Sequence, residues 1–551
     1  MLSQLKHNKP KHRTILAAMF FAFCVAWSYT VGEMLEWHGR LLAPTIPSVL
    51  KWLILFIVTF FVTYFLWQRC GHHEATTKDP LSEKLYDTRT KRVLYTMITF
   101  VFFLGFYTVV LLCEYPGMWN YDAYRFLRVY TYHRMTTHVP VFYQVVLGWI
   151  VSHVAAWSGV NEIGIFTFIF LHVLMASGVF TFLLYEMRRY GVDYRLRLFT
   201  IIWLTASPPV ALYVICSTKD TPFSIMLILA MILLYSMVKE PSYFFSSRPR
   251  QVFLMIALCV MFLTRKNGLY ALIATLPFLI AIVMKKRRVL ILLLLPVLVS
   301  SLISHAITAA LSIPSGGRTE ALPVPLQQIA RTYLYHPEDF SEEEVSFLRS
   351  LQSQDVWDSY QPKIADSIKD DTDADILFSH LPYAVSLYLR QGVRHPVTYL
   401  EAWMMTSYGL WYPDAVMRND VLTGPVEKTE YFWYPVDMPA TRQPLFDRVD
   451  MFYRAVCEEQ WVHEIPVIHL LLSPGFHTLF FLFTFLYLLQ ARRYKGVILL
   501  LFPGFVLATV LIGPCTMTRY ALHLFMLFPI LITVLFYPCE TTGATNTTQS
   551  P

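Results

Sequence analysis

The segment 114–140, EYPGMWNYDAYRFLRVYTYHRMTTHVP, carries two acids, three arginines and two histidines immediately after a long apolar run. A carboxylate held just beyond the hydrocarbon, with Arg and His around it, can act as a general base beside a lipid-linked phosphate. The competing reading is a solvated loop whose Trp and Tyr side chains sit at headgroup level, where such residues gather anyway. If YDAYRFLRVY is helical, Asp122 and Arg125 share a face and Arg128 lies one turn beyond Tyr124. Guanidinium groups then reach the carboxylate or an anionic ligand, for which their two-pronged geometry is suited. Glu114 is the second candidate acid, although beside Tyr115-Pro116-Gly117 it can equally fix a turn. His138, two residues before Pro140, can bond a substrate hydroxyl or cap the helix that follows.

Further cations stand at other apolar boundaries. Ser217-Thr218-Lys219-Asp220 opens an apolar run after the breaker Ser207-Pro208-Pro209, so a helix N-terminus, Lys219 and nearby hydroxyls can together bind an anion; a simple cap by Thr218 or Asp220 is the alternative. Arg265, Lys266 and Asn267 fill a tight turn between two apolar runs, and Arg519-Tyr520 starts the last one. Separated cationic points on one face suit a phosphate or diphosphate headgroup better than a peptide or a sugar alone. Independent snorkelling of each long side chain would explain them without a site. No HExxH, GxSxG, phosphate loop or dinucleotide fingerprint is present, which removes the common soluble mechanisms. The eight cysteines form no CxxC pair, so no zinc site or disulfide framework is expected.

What must position these residues is a membrane bundle. The chain of 551 residues is 55% hydrophobic and only 15% charged, with a mean hydropathy of +0.45. It contains about thirteen apolar runs, most near the ~17–25 residues that a span needs. The net charge of +7 does not point to nucleic acid, because the excess Lys and Arg lies in short loops. Basic segments at 6–13, 91–92, 188–197, 248–250, 285–288 and 492–495 are all placed in the cytoplasm if the run 139–157 lies in the outer interface instead of crossing. The expectation is an all-α polytopic protein of about twelve spans with both termini cytoplasmic. It divides into a two-span extension (1–92), a core (93–311) with the loop 114–157 on its outer face, a mostly helical outer domain (312–464), C-terminal spans (465–537) and a disordered tail (538–551). Within the outer domain, SEEE at 341–344 reads as a capped helix start, and SGGR at 315–318 as a linker.

EYPG with Asp122, then HVP, STKD, RKNG, VPLQQIARTYLYHP with SEEE, RHPVTYLEAWM with WYPD, and finally TRY together resemble a family of uncharacterised multi-pass proteins of Gram-positive bacteria. That family is in turn similar to the glycosyltransferase C (GT-C) superfold. The resemblance covers about 93–537, and the element Gln327-Gln328-Ile329-Ala330-Arg331 is its most specific part. It implies an acidic residue of the first outer loop as base and a polyprenyl-phosphate-linked sugar as donor, its phosphate met by Arg or Lys. By position, Asp122 is similar to that acid, and Lys219, Arg265 and Arg519 to the phosphate contacts. The chain departs from the better-known members of that superfold in lacking a clear paired Asp-Asp or Glu-x-Asp, which leaves a divalent cation, and the choice between Asp122 and Glu114, open.

The function expected from this reading is a glycosyltransferase of the cell membrane. It passes a sugar from a polyprenyl-phosphate donor to a surface glycan, teichoic acid or protein acceptor, with inversion. Asp122 or Glu114 is the base, and Lys219, Arg265, Lys266 and Arg519 meet the donor phosphate. Arg125, His138, Asp220, Asn267, Gln328, Arg331 and Tyr520 contact substrate, with His395 and Trp411 shaping the acceptor cleft. A lipid-linked glycan flippase is the non-enzymatic alternative, and would place ionisable groups at mid-membrane depth with paired repeats. A surface-polysaccharide polymerase would share the outer loop but take two lipid-linked glycans.

Overall fold

The computed structural model describes residues 12–72, 88–283, 285–352, 360–415, 440–458 and 465–537. Among these residues the regular elements are helices, joined in places by isolated β-bridges. The polar tail 538–551 and its sequon lie outside them. Helices α1 (His12–His38), α2 (Ile46–His72) and α3 (Arg89–Cys113) are followed by the short α4 (Tyr121–Thr131), α5 (Val141–Ser158) and α6 (Asn161–Arg189). Then come α7 (Tyr194–Ala206), α8 (Pro208–Val214), α9 (Asp220–Lys239), α10 (Arg248–Thr264), α11 (Lys266–Ile282) and α12 (Lys286–Ala310). The next region holds α13 (Pro323–Tyr335), α14 (Glu342–Ser350), α15 (Leu381–Arg394) and α16 (Pro396–Ser407). After α17 (Asp447–Glu458), the chain closes with α18 (Pro466–Leu472), α19 (Pro474–Gln490), α20 (Tyr494–Leu511) and α21 (Leu522–Phe536).

Among the described residues nine helices are long and apolar enough to cross a membrane, or up to eleven if each of two bent pairs is one span. The expectation of about twelve is finer than this. Both bends follow from proline: α7 and α8 meet at 61° where Pro208 and Pro209 interrupt the run, and α18 and α19 at 76° before Pro474. A proline at the first helical position needs no backbone partner, so a new axis starts there at little cost.

At the centre stands α9. All of its residues are buried except Tyr235 and Lys239, which are half-buried, as an apolar helix surrounded on every side must be. It packs against α6, α10 and α21. At the rim, α2 exposes Ile54, Ile57, Val58, Phe61 and Phe65, a surface suited to lipid.

Two ring contacts decide how the loop 114–160 lies. Phe103 meets Phe180 at 5.7 Å, and just past the end of α3 the ring of Tyr115 meets Phe166 at 5.8 Å. As α3 ascends α6 descends, so the two are antiparallel and the segment between them leaves and returns at one end of the bundle. Helix α5, long and apolar enough to cross on its own, belongs to that segment. It packs tightly on α6: a Cβ on Gly164 would lie 2.4 Å from the Val151 carbonyl oxygen, so only glycine permits the approach.

The region 312–415 has a separate apolar cluster, including Leu326, Ala330, Tyr333, Phe340, Leu348 and Leu387. Its Ser341 and Glu344 form a reciprocal cap: Glu344 N donates to Ser341 Oγ at 3.3 Å, and Ser341 N to Glu344 Oε2 at 2.8 Å. The SGGR turn binds the loop 114–160, with Gly316 N donating to Thr137 Oγ1 at 3.0 Å. Gly317 adopts φ +74°, and a side chain there would also press on His138.

Candidate functional site

Two loops from distant parts of the chain are laced together at the end of the bundle where 114–160 lies. Met118 N donates to the Ile215 carbonyl at 3.0 Å, and Ser217 N to the Met118 carbonyl at 3.0 Å, a short parallel pairing. Asn120 N donates to Ser217 Oγ at 3.0 Å, and the Tyr143 hydroxyl donates to the Ser217 carbonyl at 2.8 Å. Asn120 then starts α4, its Oδ1 accepting from Asp122 N at 2.8 Å. This lacing puts Asp122 in the first turn of one helix beside Lys219 at the start of another.

Lys219 Nζ lies 3.0 Å from Asp122 Oδ2, and Arg519 Nη1 lies 3.2 Å from the same oxygen. Arg519 also donates to Asn120 Oδ1 at 2.9 Å, and its Nε is 3.7 Å from Asp220 Oδ2. Asp220, fully buried, is ion-paired with Arg265 and accepts from Thr218 Oγ1 at 3.1 Å. Both guanidinium groups stand over the ring of Tyr520, at 4.8 Å for Arg265 and 5.3 Å for Arg519. Two carboxylates therefore share three cations in a volume that keeps an opening, since the side chains of Asp122, Lys219 and Arg265 are 18%, 15% and 13% exposed. Burial pushes the Asp122 carboxyl up, but the charges of Arg519 and Lys219 outweigh it and hold the group well below the usual carboxylate range.

Of the residues singled out in the sequence, the structure brings together Asp122, Lys219, Asp220, Arg265, Arg519 and Tyr520. Arg125 is exposed on α4, with its charge still felt at Asp122. Lys266 is exposed, and Asn267 donates instead to Thr509 Oγ1 at 2.8 Å, tying α11 to α20. Glu114 is not part of the cluster. It is completely buried and ion-paired with Arg442, which also pairs with Asp450, so its position next to the bilayer serves to anchor a distant segment. His138 lies 3.3 Å from Glu320, which Lys369 also holds at 2.6 Å. Gln328 bonds the Tyr399 carbonyl and the Tyr388 hydroxyl. Arg331, wholly buried, bonds Glu401 at 3.0 Å and the Gly39 carbonyl at 2.7 Å. Trp411 packs on Trp27 of α1 at 4.8 Å. These last residues join parts of the molecule to one another.

Sequence reasoning missed Asn120, which both caps α4 and receives Arg519, although Asn two residues before an acidic first turn is itself a capping signal. It also missed Tyr143, and it named Ser217 only as a hydroxyl near Lys219, because the part each plays depends on backbone contacts with no sequence pattern. An apolar cleft opens at the other end of the bundle, between α6, α9, α20 and α21. Its one charged lining residue, Glu186, is committed to Arg189 and Arg250, so the cleft offers no chemistry of its own.

A family model matches residues 129–549. The chain belongs to DUF6020, a family of unknown function. No curated protein and no solved structure matches the chain. The DUF6020 region contains Lys219, Asp220, Arg265, Arg519 and Tyr520, whereas Asp122 lies seven residues before its first residue (129 − 122).

Proposed function

We propose that this DUF6020 member is a membrane glycosyltransferase of GT-C type, acting at the outer face on a polyprenyl-phosphate-linked sugar. The observation that carries the reading is the shared coordination of Asp122: one carboxylate oxygen of this partly exposed side chain is held by both Lys219 and Arg519. Such a carboxylate is a poor base as it stands, because the cations stabilise its charged form. A donor phosphate is the natural competitor for the same cations. Taking Lys219 and Arg519 as its own partners, it would release Asp122 and restore its basicity, so that base and donor become ready together.

In the reaction the acceptor hydroxyl gives its proton to Asp122. Its oxygen attacks the anomeric carbon as the bond from that carbon to the phosphate oxygen breaks, and the leaving polyprenyl phosphate keeps the electron pair. The growing negative charge falls on Lys219, Arg265 and Arg519, of which the two arginines are already held in position by Asp220, Asn120 and Tyr520. Preorganised cations of this kind need no rearrangement as charge develops. Attack from the side opposite the phosphate gives inversion. The basic segments 188–197, 285–288 and 492–495 at the other end of the bundle support an outer-face position for the cluster.

The test is an assay of the detergent-purified full chain with a panel of polyprenyl-phosphate sugars and a cell-surface extract as acceptor, following release of polyprenyl phosphate. Turnover with one donor, abolished in Asp122→Asn and retained in Glu114→Gln variants that still fold, supports the reading. Absence of release with every donor, together with movement of a lipid-linked glycan across vesicles, would replace it with a flippase.

A further inference from the structure

His336 and His395 occupy equivalent places in the 312–415 region. Each closes one helix and is followed by a proline that opens the next element: His336-Pro337 after α13, and His395-Pro396 between α15 and α16. Their backbones are nearly the same, φ −139°, ψ 53° and φ −124°, ψ 57°. Because α13 packs against both α15 and α16, the two corners meet. Their imidazoles lie face to face, with centroids 4.2 Å apart and planes 14° from parallel.

A carboxylate completes the group. Asp339 ends the single 3₁₀ turn after His336 and brings Oδ2 to 3.0 Å from His395 Nε2. That nitrogen is buried, and the contact, short enough for a hydrogen bond, is off the direction a hydrogen bond requires. A nitrogen and an oxygen this close, not aimed at each other, have the relation of two ligands on one ion. On a tetrahedral zinc with bonds of about 2.0–2.1 Å, ligand atoms sit about 3.3 Å apart. One ligand atom from each of the three residues already lies within 4.8 Å of the others.

The surroundings hold these ligands. Arg394 is ion-paired with Asp339 through Oδ1, which leaves Oδ2 for a single-oxygen contact. The Asp339 carbonyl accepts from Gln391 Nε2 at 3.1 Å and from Arg394 Nη1 at 3.2 Å. Thr398 Oγ1, 3.3 Å from His336 Nε2, limits rotation of that ring. The side chains of His336, Asp339 and His395 are 35%, 19% and 11% exposed, an open edge through which an ion and a completing water can enter.

We propose that His336, Asp339 and His395 bind a divalent transition-metal ion of the zinc class. Two imidazoles and one carboxylate suit zinc and its neighbours, whereas magnesium and calcium prefer oxygen ligands throughout. The ion draws the two rings out of their parallel stack and staples the end of α13 to the α15–α16 corner. It shares no residue with the Asp122 cluster, and its role is structural.

The experiment uses the full chain in detergent, purified without a polyhistidine tag and stripped with a chelator. Titration with Co²⁺ is expected to give the visible absorption of a tetrahedral centre, saturating at one ion per chain and bleached by added Zn²⁺. The variant His336→Ala/His395→Ala should lose the signal. Asp339→Asn should weaken zinc by more than the ~10–100-fold that loss of a supporting partner costs. His336→Phe keeps a ring in the stack but no ligand; a folded His336→Phe protein without cobalt absorption supports the site. Absence of the cobalt spectrum in the wild-type chain, or the same spectrum in the double variant, would overturn it.

Discussion

The two ends of α9, about 30 Å apart by the rise of a 20-residue helix, both carry buried charge, and they use it differently. At the Lys239 end, Glu186 binds Arg189 at 2.9 Å and is also ion-paired with Arg250, while Arg189 is ion-paired with Glu240. Tyr243 is packed between the two guanidinium groups, and Lys239 stands over the rings of Tyr190 and Tyr235. Two acids meet two arginines, and the Glu186 and Arg250 side chains are only 3% and 8% exposed. At the Asp220 end two acids share three cations, one arginine is divided among three partners, and the central carboxylate is within reach of solvent. At the Lys239 end the innermost pair, Glu186 and Arg250, is nearly closed to solvent and fixes helices, whereas at the Asp220 end Asp122, Lys219 and Arg265 keep partial exposure and can exchange a partner for an incoming anion. On the proposed function, the comparison separates charge that holds helices from charge that can take a ligand.

The largest expected effect tests the functional end. Asp122→Asn should lower turnover by about 10²–10⁴-fold, the usual contribution of a general base, in a protein that still folds but gives up the stability that the low carboxyl pKa implies at neutral pH. A comparable loss in Glu186→Gln without loss of stability would break the comparison. The structural end should answer in stability instead: Glu186→Gln leaves Arg250 buried without its main counter-charge and should cost about 3–5 kcal/mol in thermal unfolding, with a large part regained in Glu186→Gln/Arg250→Met. Asp220→Asn should fall between the two. It removes a charged partner from Arg265 and Arg519, costing about 1.5–3 kcal/mol, and raises KM for the donor because the cations lose their fixed positions.

Partner exchange at Asp122 sharpens the contrast through pH. In the free protein its carboxyl is held low, and the acid limb of kcat/KM reports that state. Once phosphate occupies the cations, the value rises toward that of an ordinary carboxylate, so the acid limb of kcat should lie at higher pH than that of kcat/KM. Coincident limbs would contradict the exchange. The smallest effect concerns His138, which faces Glu320, Lys369, Arg125 and Asp370. Burial pushes its imidazole below the ordinary value, so the unfolded chain takes up the proton first and stability falls as pH drops below about 6.5. His138→Gln should flatten that part of a melting-temperature profile.

Much of the architecture was legible in the chain itself. The apolar runs became helices, because a backbone without water must satisfy its own hydrogen bonds. Ser207-Pro208-Pro209 broke one run, and Ser341 with Glu344 capped a helix, both by local chemistry. The meeting of Asp122, Lys219, Arg265 and Arg519 was also foreseeable, since each stands at a helix end and ionisable groups avoid the depth of the bilayer. Glu114 shows where this reasoning stops. Its place beside an apolar run matched that of a catalytic acid, but it meets Arg442, more than three hundred residues away (442 − 114 = 328), and is consumed there. Arg331 and Gln328, the most specific part of the resemblance, likewise turned toward Glu401, Gly39 and Tyr399.

The sequence by itself determined which segments are helical, where they break and which ends carry charge, because hydropathy, proline and capping act over a few residues. Only the tertiary structure decided which charges close on one another and which stay shared. Ion pairs form between side chains brought together by packing, and nothing in the spacing of Glu114, Asp122 or Arg519 records whether a partner will be waiting.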